Sequence, residues 1–271
     1  LGLPIIRGVV NFGESLYIGL KTLSYSSSFY EEEDYEPGKV EQFFTKIFGD
    51  KLESVLMGIT MVISVILALG IFMVLPFFLT NLMKGFLPSY SIRTLIEGII
   101  RVALFLIYIW LISKMEDIKR VFMYHGAEHK TINCLEHGED LTPENIKKYS
   151  RLHKRCGTSF LLIVMIVSIV VFMFIRVDSL VWKFVLRILL VPVVAGISYE
   201  FIRLAGRSDS KIVNTLSKPG LYLQYFTTRE PDEEMMEVAI KAVEGVFDWR
   251  EYLKEEFGWK PEENEEKNAD I

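Results

Sequence analysis

The chain carries neither of the common phosphate-binding glycine loops: G-x-x-x-x-G-K-[ST] and G-x-G-x-x-G are both missing. That removes the signatures of P-loop nucleotide hydrolysis and of dinucleotide binding. No internal repeat occurs, and no segment interleaves basic and aromatic residues as a nucleic-acid surface would, so nucleic acid is not an expected partner. A cleavable signal peptide is not expected in residues 1–21, which are interrupted by Pro4, Arg7 and Glu14 and lead to no small-residue cleavage site. Cysteine and histidine are scarce, with two and four residues in 271.

The most consequential absence is of charge. The chain is 51% hydrophobic and 24% charged, which is compatible only if the two kinds of residue are segregated. Ser54 to Met83 holds no Asp, Glu, Lys, Arg or His over thirty residues, and Thr158 to Ile175 holds none over eighteen. A bilayer-crossing helix needs about 20 mostly apolar residues, so both runs read as spans. Ser91 to Ser113 carries Glu97 and Arg101 before twelve uncharged residues, and Trp182 to Phe201 carries Lys183 and Arg187 before Ile188–Tyr199. Four spans are the economical reading, although the latter two also suit a buried helical pair in a soluble protein.

The expected fold is an all-α polytopic membrane protein. Residues 1–53 would form an N-terminal interfacial or re-entrant helix, an acidic linker at Tyr30–Glu36 and a lead-in helix from Lys39. Residues 54–205 would form the four-span bundle, and residues 206–271 a cytoplasmic helical tail whose end, from Pro261, is charged.

Lysine and arginine set the orientation. The loop between spans one and two has Lys84 and Arg93, and that between spans three and four has Arg176, with Lys183 at its edge. The segment between spans two and three, residues 114–157, has nine. Both termini and that segment are therefore expected in the cytoplasm, with the chain in a bacterial inner membrane. Cysteines on that side read as free thiols or ligands rather than a structural disulfide.

All four histidines and both cysteines fall between His125 and Cys156. Within that window His125-Gly-Ala-Glu128-His129 has the form H-x-x-E-H. Positions i, i+3 and i+4 of a helix share a face, so both imidazoles and the carboxylate can converge. This is the inverted zincin pattern, with two histidines as metal ligands and the glutamate as general base. His153 and Cys156 supply a second i, i+3 pair, and His/Cys mixtures suit zinc. Cys134 and His137 rank below them, because Glu136, Gly138, Glu139 and Asp140 look like a helix end and polar turn. Thr142 and Pro143 then fit a helix start. Glu200, at the cytoplasmic end of the fourth span, either pairs with Arg203 or completes the metal set. Glu97 and Arg101, spaced i, i+4, are expected to neutralise each other.

The motifs H-G-A-E-H-K-T-I, S-R-L-H-K-R-C-G-T-S-F and T-T-R-E-P, with A-G-I-S-Y-E-F-I-R-L-A-G and P-G-L-Y-L-Q, resemble the YqhQ-like family of bacterial membrane proteins, which carries a loose description as metal-dependent enzymes. The resemblance runs from Arg7-Gly8 to the helix after Pro231. It implies His125, Glu128, His129, His153, Cys156, Glu200 and Thr228-Arg229-Glu230 as signature positions. Lys154 stands where the family has proline, which relaxes the backbone between His153 and Cys156. The resemblance supplies no substrate.

The leading functional expectation is a zinc-type metal-dependent hydrolase at the cytoplasmic leaflet. His125 and His129, with one or more of His153, Cys156 and Glu200, would hold the metal, and Glu128 would act as base. Membrane lipids are the expected partners, with a lipid, lipid-linked intermediate or membrane peptide as substrate; a homo-oligomer is compatible with the sequence. The alternatives are a non-enzymatic metal- or redox-dependent regulator or assembly factor and, resting on the charges at Glu97, Arg101 and Arg187, a small transporter. The topology has a direct test. A membrane-impermeant maleimide should leave Glu136→Cys unlabelled in intact cells and label it once the membrane is opened; labelling in intact cells would reverse the orientation.

Overall fold

The computed structural model describes residues 3–27, 29, 52–87, 89–177, 179–208 and 210–260, and every regular element among them is a helix. In chain order the α-helices are α1 (Pro4–Ser27), α2 (Leu52–Leu69), α3 (Leu75–Leu82), α4 (Tyr90–Ile112), α5 (Glu116–Glu136), α6 (Pro143–Lys147), α7 (Gly157–Met173), α8 (Leu180–Ala205), α9 (Lys211–Thr227), α10 (Glu233–Glu244) and α11 (Trp249–Phe257). The all-α expectation holds. Among the described residues three stretches are long and apolar enough to cross a membrane: Val55–Gly85, Tyr90–Ile112 and Val181–Ala205. The fourth expected span, α7, has 17 residues. That is the lower end of the roughly 17–25 residues that cross a bilayer, so three to four helices could span a membrane. The acidic turn at 30–36, nearly all of the expected lead-in helix and the tail from 261 lie outside the described residues.

The chain forms two compact units, Leu1–Phe105 with Val164–Phe201, and Leu106–Ile163 with Ile202–Ile271. In the first unit α1 lies close against α8: a Cβ on Gly8 would sit 2.8 Å from the Gly196 carbonyl oxygen, so only glycine permits the approach. Beside it Arg7 donates to both carboxylate oxygens of Glu200, at 2.7 Å from Nε to Oε1, and Asn11 Nδ2 lies 2.6 Å from the Tyr199 hydroxyl.

The long first span contains a π-turn at Gly70–Val74. Pro76 follows it and lacks the N–H that would bond the Phe72 carbonyl four residues back. Arg101 Nε takes its place, donating to that carbonyl at 2.9 Å. Glu97 and Arg101 do interact, at 3.1 Å, yet they are not an isolated pair. Glu97 is buried, and Arg187 grips both its carboxylate oxygens, with Nη2 2.9 Å from Oε2.

In the second unit α5 is the spine. Glu116 and Asp117 in its first turn complement the positive end of its dipole. Its Ala127, Cys134 and Leu135 pack with Ile146 of α6, Met235 and Met236 of α10, and Trp249 and Leu253 of α11. The expected start of α6 is present: Thr142 caps it by accepting from the Asn145 N–H, and Pro143 occupies the first turn.

The turn Thr228–Glu230 clasps the end of α9 to α5. Arg229 N–H donates to the Phe122 carbonyl at 2.8 Å, Arg151 Nη1 donates to the Thr228 carbonyl at 2.7 Å, and Lys130 pairs with Glu230 at 3.0 Å. Gly126 makes this contact feasible, since a Cβ there would fall 2.0 Å from the Arg229 carbonyl oxygen. Gly126→Ala should therefore push the clasp off α5. We expect a loss of about 1–3 kcal/mol, read as a lower unfolding midpoint; an unchanged midpoint would mean the clasp does not bear on stability.

Candidate metal centre

One helical turn of α5 presents His125 and His129 on a common face, with ring centroids 4.3 Å apart. Each imidazole is held from behind. His125 Nδ1 lies 2.7 Å from the Thr227 carbonyl oxygen, and His129 Nδ1 lies 2.7 Å from the Arg151 carbonyl oxygen. A carbonyl oxygen only accepts, so Nδ1 of each ring carries the proton, and in the neutral ring the lone pair resides on Nε2. That is the arrangement by which metal-ligating histidines are oriented in proteins.

Cys156 faces them from the residue before α7. Its Sγ lies 3.3 Å from His125 Nε2, 3.1 Å from Thr158 Oγ1 and 3.4 Å from the Thr158 backbone nitrogen. The ligand atoms of His125, His129 and Cys156 all lie within 4.8 Å of one another, so this cluster could hold a metal ion. The site therefore combines one i, i+4 pair with a third ligand placed by a different helix.

The electrostatics favour a thiolate. Burial alone would raise the Cys156 thiol, but hydrogen bonds from His125, His129 and Thr158 outweigh it and bring the pKa down to about 5. The first-turn N–H of α7 acts in the same direction. Burial opposes the charged form of His125, yet the Cys156 sulfur, the Thr227 carbonyl and Glu128 together shift its pKa upward. Each shift favours the charged form of its group, so a thiolate at Cys156 and a proton on His125 support each other.

Glu128 is exposed and lines the cleft of about 270 Å³ that contains His125, His129, Arg155 and Cys156. His153 also borders the cleft, but both its ring nitrogens are otherwise engaged: Nε2 faces Glu136 Oε2 at 3.3 Å, and Nδ1 accepts from the Arg155 N–H at 3.4 Å. Burial pulls the His153 pKa below the ordinary value, so the ring is neutral. The expectation that His153 ligates alongside Cys156 thus gives way to a role in the cleft wall. Glu200 belongs to the first unit, where Arg7 holds its carboxylate; it is not a member of the His/Cys group. Cys134 is a core residue whose thiol burial pushes up to about 12, and His137 Nδ1 bonds the Asn133 carbonyl at the end of α5.

Sequence reasoning missed the groups that position the ligands. Gln224, fully buried, receives the His153 N–H at 2.8 Å and donates at 2.7 Å to both the His153 carbonyl and Ser159 Oγ. It fastens the backbone just ahead of Cys156 to α9 and to the start of α7. Gln224 and Thr227 sit within P-G-L-Y-L-Q and T-T-R-E-P, but nothing in those strings announces that a glutamine bridges two segments or that a backbone carbonyl orients a histidine.

The thiolate assignment is testable without metal. In chelator-treated protein, thiolate absorbance should rise with a midpoint near pH 5. In His125→Ala the midpoint should move up toward the ordinary thiol value of about 8.5, because the principal group stabilising the anion is gone. Equal midpoints in the two proteins would contradict the pairing.

Comparison with known proteins places the chain. No solved structure matches it. A 241-residue alignment with the uncharacterized protein YqhQ of Bacillus subtilis (strain 168) is 37% identical and covers 89% of this chain and 76% of the relative. The family described as "protein of unknown function (DUF1385)" matches residues 3–249, a range that includes every residue of the His/Cys cleft and its clasp. The chain accordingly belongs to the DUF1385 family, to which its likeness to YqhQ had pointed.

Proposed function

We propose that the protein is a metal-dependent hydrolase of a bacterial cytoplasmic membrane, with both termini and the His/Cys centre on the cytoplasmic side. The observation that carries the reading is the pair of Nδ1–carbonyl hydrogen bonds, which leave two Nε2 lone pairs beside a low-pKa thiolate. His125, His129 and Cys156 are the proposed ligands. Two nitrogens and one sulfur suit zinc, and three protein ligands leave a fourth position open, as catalytic zinc sites do. Bound there, zinc would supply Lewis-acid polarisation of a carbonyl or phosphoryl oxygen.

The chain's own residues supply the remainder. Glu128 lines the cleft without being a ligand and takes the proton from the attacking water. Arg155, in the same cleft, is held by Glu136 through Nη2 and offers the rest of its guanidinium to an anionic part of the substrate. Glu128 and Ile132 also line an adjacent apolar groove of about 530 Å³ between α5 and α10, with Val238, Val243, Val246 and Phe247. A polar cleft continuous with an apolar groove fits an amphiphile, which supports a lipid or lipid-linked substrate over a soluble one.

A redox-dependent regulator is the second reading, favoured by the low-pKa Cys156, since a ligand thiolate is also the form that oxidants attack. Glu128→Gln separates the two. Wild type should purify with about one equivalent of zinc, and His129→Ala should lose it. In the hydrolase, Glu128→Gln keeps the metal and loses activity by about 10²–10⁴-fold, read as failure to complement a deletion strain. A variant that keeps both metal and wild-type complementation would sink the hydrolase and leave the regulator.

A further inference from the structure

The first unit holds a second polar cavity that the proposed hydrolase does not use. It measures about 350 Å³ and lies among α3, the turn Met83–Gly85, α4 and α8. Lys84, Arg93 and Lys183 line it, together with Glu97, the only carboxylate among its lining residues.

The charge balance of this region is unusual for helices that cross a membrane. Glu97 already meets three cations: Arg187 on both oxygens, Arg101 at 3.1 Å and Lys183 at 3.9 Å. Arg93 and Lys84 add two more, and among the described residues no carboxylate pairs with either. Among the described residues five cations thus meet one carboxylate, a local positive excess that favours an anion.

Helix direction adds to the excess. Arg93 and Lys183 each lie in the first turn of a helix, α4 and α8, and neither first turn contains an acid. A cation at a helix N-terminus is opposed by the dipole and by the free N–H groups there, whereas an anion is favoured by both. Arg93 Nε is shielded from solvent and has no hydrogen-bond partner, which leaves a guanidinium donor unused. Lys183 rests over the rings of Phe77 and Tyr90, 4.7 and 5.3 Å from their centroids, so its ammonium is held at the cavity wall. The exposed Asn81 borders the same space and provides a neutral donor.

We propose that this cavity binds a phosphate group, with Arg93, Lys84 and Lys183 as its cationic contacts. A guanidinium fork, two ammonium groups and two helix N-termini suit a compact anion with several acceptor oxygens better than a single carboxylate. Such a group can come from a phospholipid headgroup or from free phosphate. Glu97, held by Arg187 on both oxygens, forms part of the cavity wall. The site is independent of the His/Cys centre and stands whether or not that centre is catalytic.

The test uses the full chain, purified in detergent and in nanodiscs, with Arg93→Gln/Lys84→Gln as the variant. Neither side chain has a pairing carboxylate among the described residues and Lys84 is exposed, so the variant keeps the fold. Inorganic phosphate is titrated by calorimetry against chloride at equal ionic strength, and retained phosphatidylglycerol is read by native mass spectrometry. If the source is free phosphate, wild type binds it and the variant binds roughly 10–100-fold more weakly. If the source is a headgroup, inorganic phosphate has no effect, wild type retains phosphatidylglycerol and the variant releases it. Wild type and variant behaving alike in both assays, or wild type binding neither probe, would overturn the proposal.

Discussion

Two hydrogen bonds from imidazole nitrogens to backbone carbonyls decide what the second unit can do. A histidine on a helix face is free to choose either nitrogen; His125 and His129 are not, because the Thr227 and Arg151 carbonyls each claim Nδ1. Those carbonyls are themselves held in place by other contacts. Thr227 ends α9, and the residues after it are tied to α5 through Arg229 and Lys130 and to the segment before α7 through Arg151. The glycine that lets this clasp approach, Gly126, lies between the two candidate ligands His125 and His129. Ligand orientation and packing of the clasp are thus one structural problem, solved on a single turn of α5.

The third ligand is positioned by a different device. Cys156 precedes an apolar helix, so its sulfur meets the first-turn N–H of Thr158 at 3.4 Å. Gln224 holds the adjacent backbone at His153. A thiolate near a helix N-terminus is stable without a metal, and a metal bound there would not first have to displace that proton. The same low pKa makes the sulfur open to oxidation, which is why hydrolase and redox regulator share one set of ligands and diverge only at Glu128.

The first unit faces the opposite electrostatic problem. Its helices are apolar enough to cross a bilayer, yet they carry Arg101, Lys183 and Arg187 around a single buried Glu97. Arg101 has a further partner beside Glu97, since its Nε donates to the Phe72 carbonyl, to which Pro76 can offer no N–H. Arg93 and Lys84 pair with no carboxylate among the described residues, and they are what favours the proposed anion from outside the chain.

Helices, spans and the His/Cys window were legible in the sequence, because each depends on local order: unbroken apolar runs, the i, i+3 and i+4 periodicity, and a proline after a threonine cap. H-x-x-E-H placed two ligands on one face without reference to any other element. Which further residues join them was not legible. His153, Cys156 and Glu200 were equivalent candidates by type and expected depth. Tertiary structure separated them by what else each side chain touches: Glu136 and the Arg155 N–H take the His153 ring, Arg7 takes Glu200, and Cys156 alone turns its ligand atom to the histidines. Likewise Glu97 and Arg101 are a pair by spacing, but only packing brought in Arg187 from ninety residues away. Spacing along one helix is set by its pitch, which the sequence carries. Partners from another helix are set by how the chain folds back, and no local pattern encodes that.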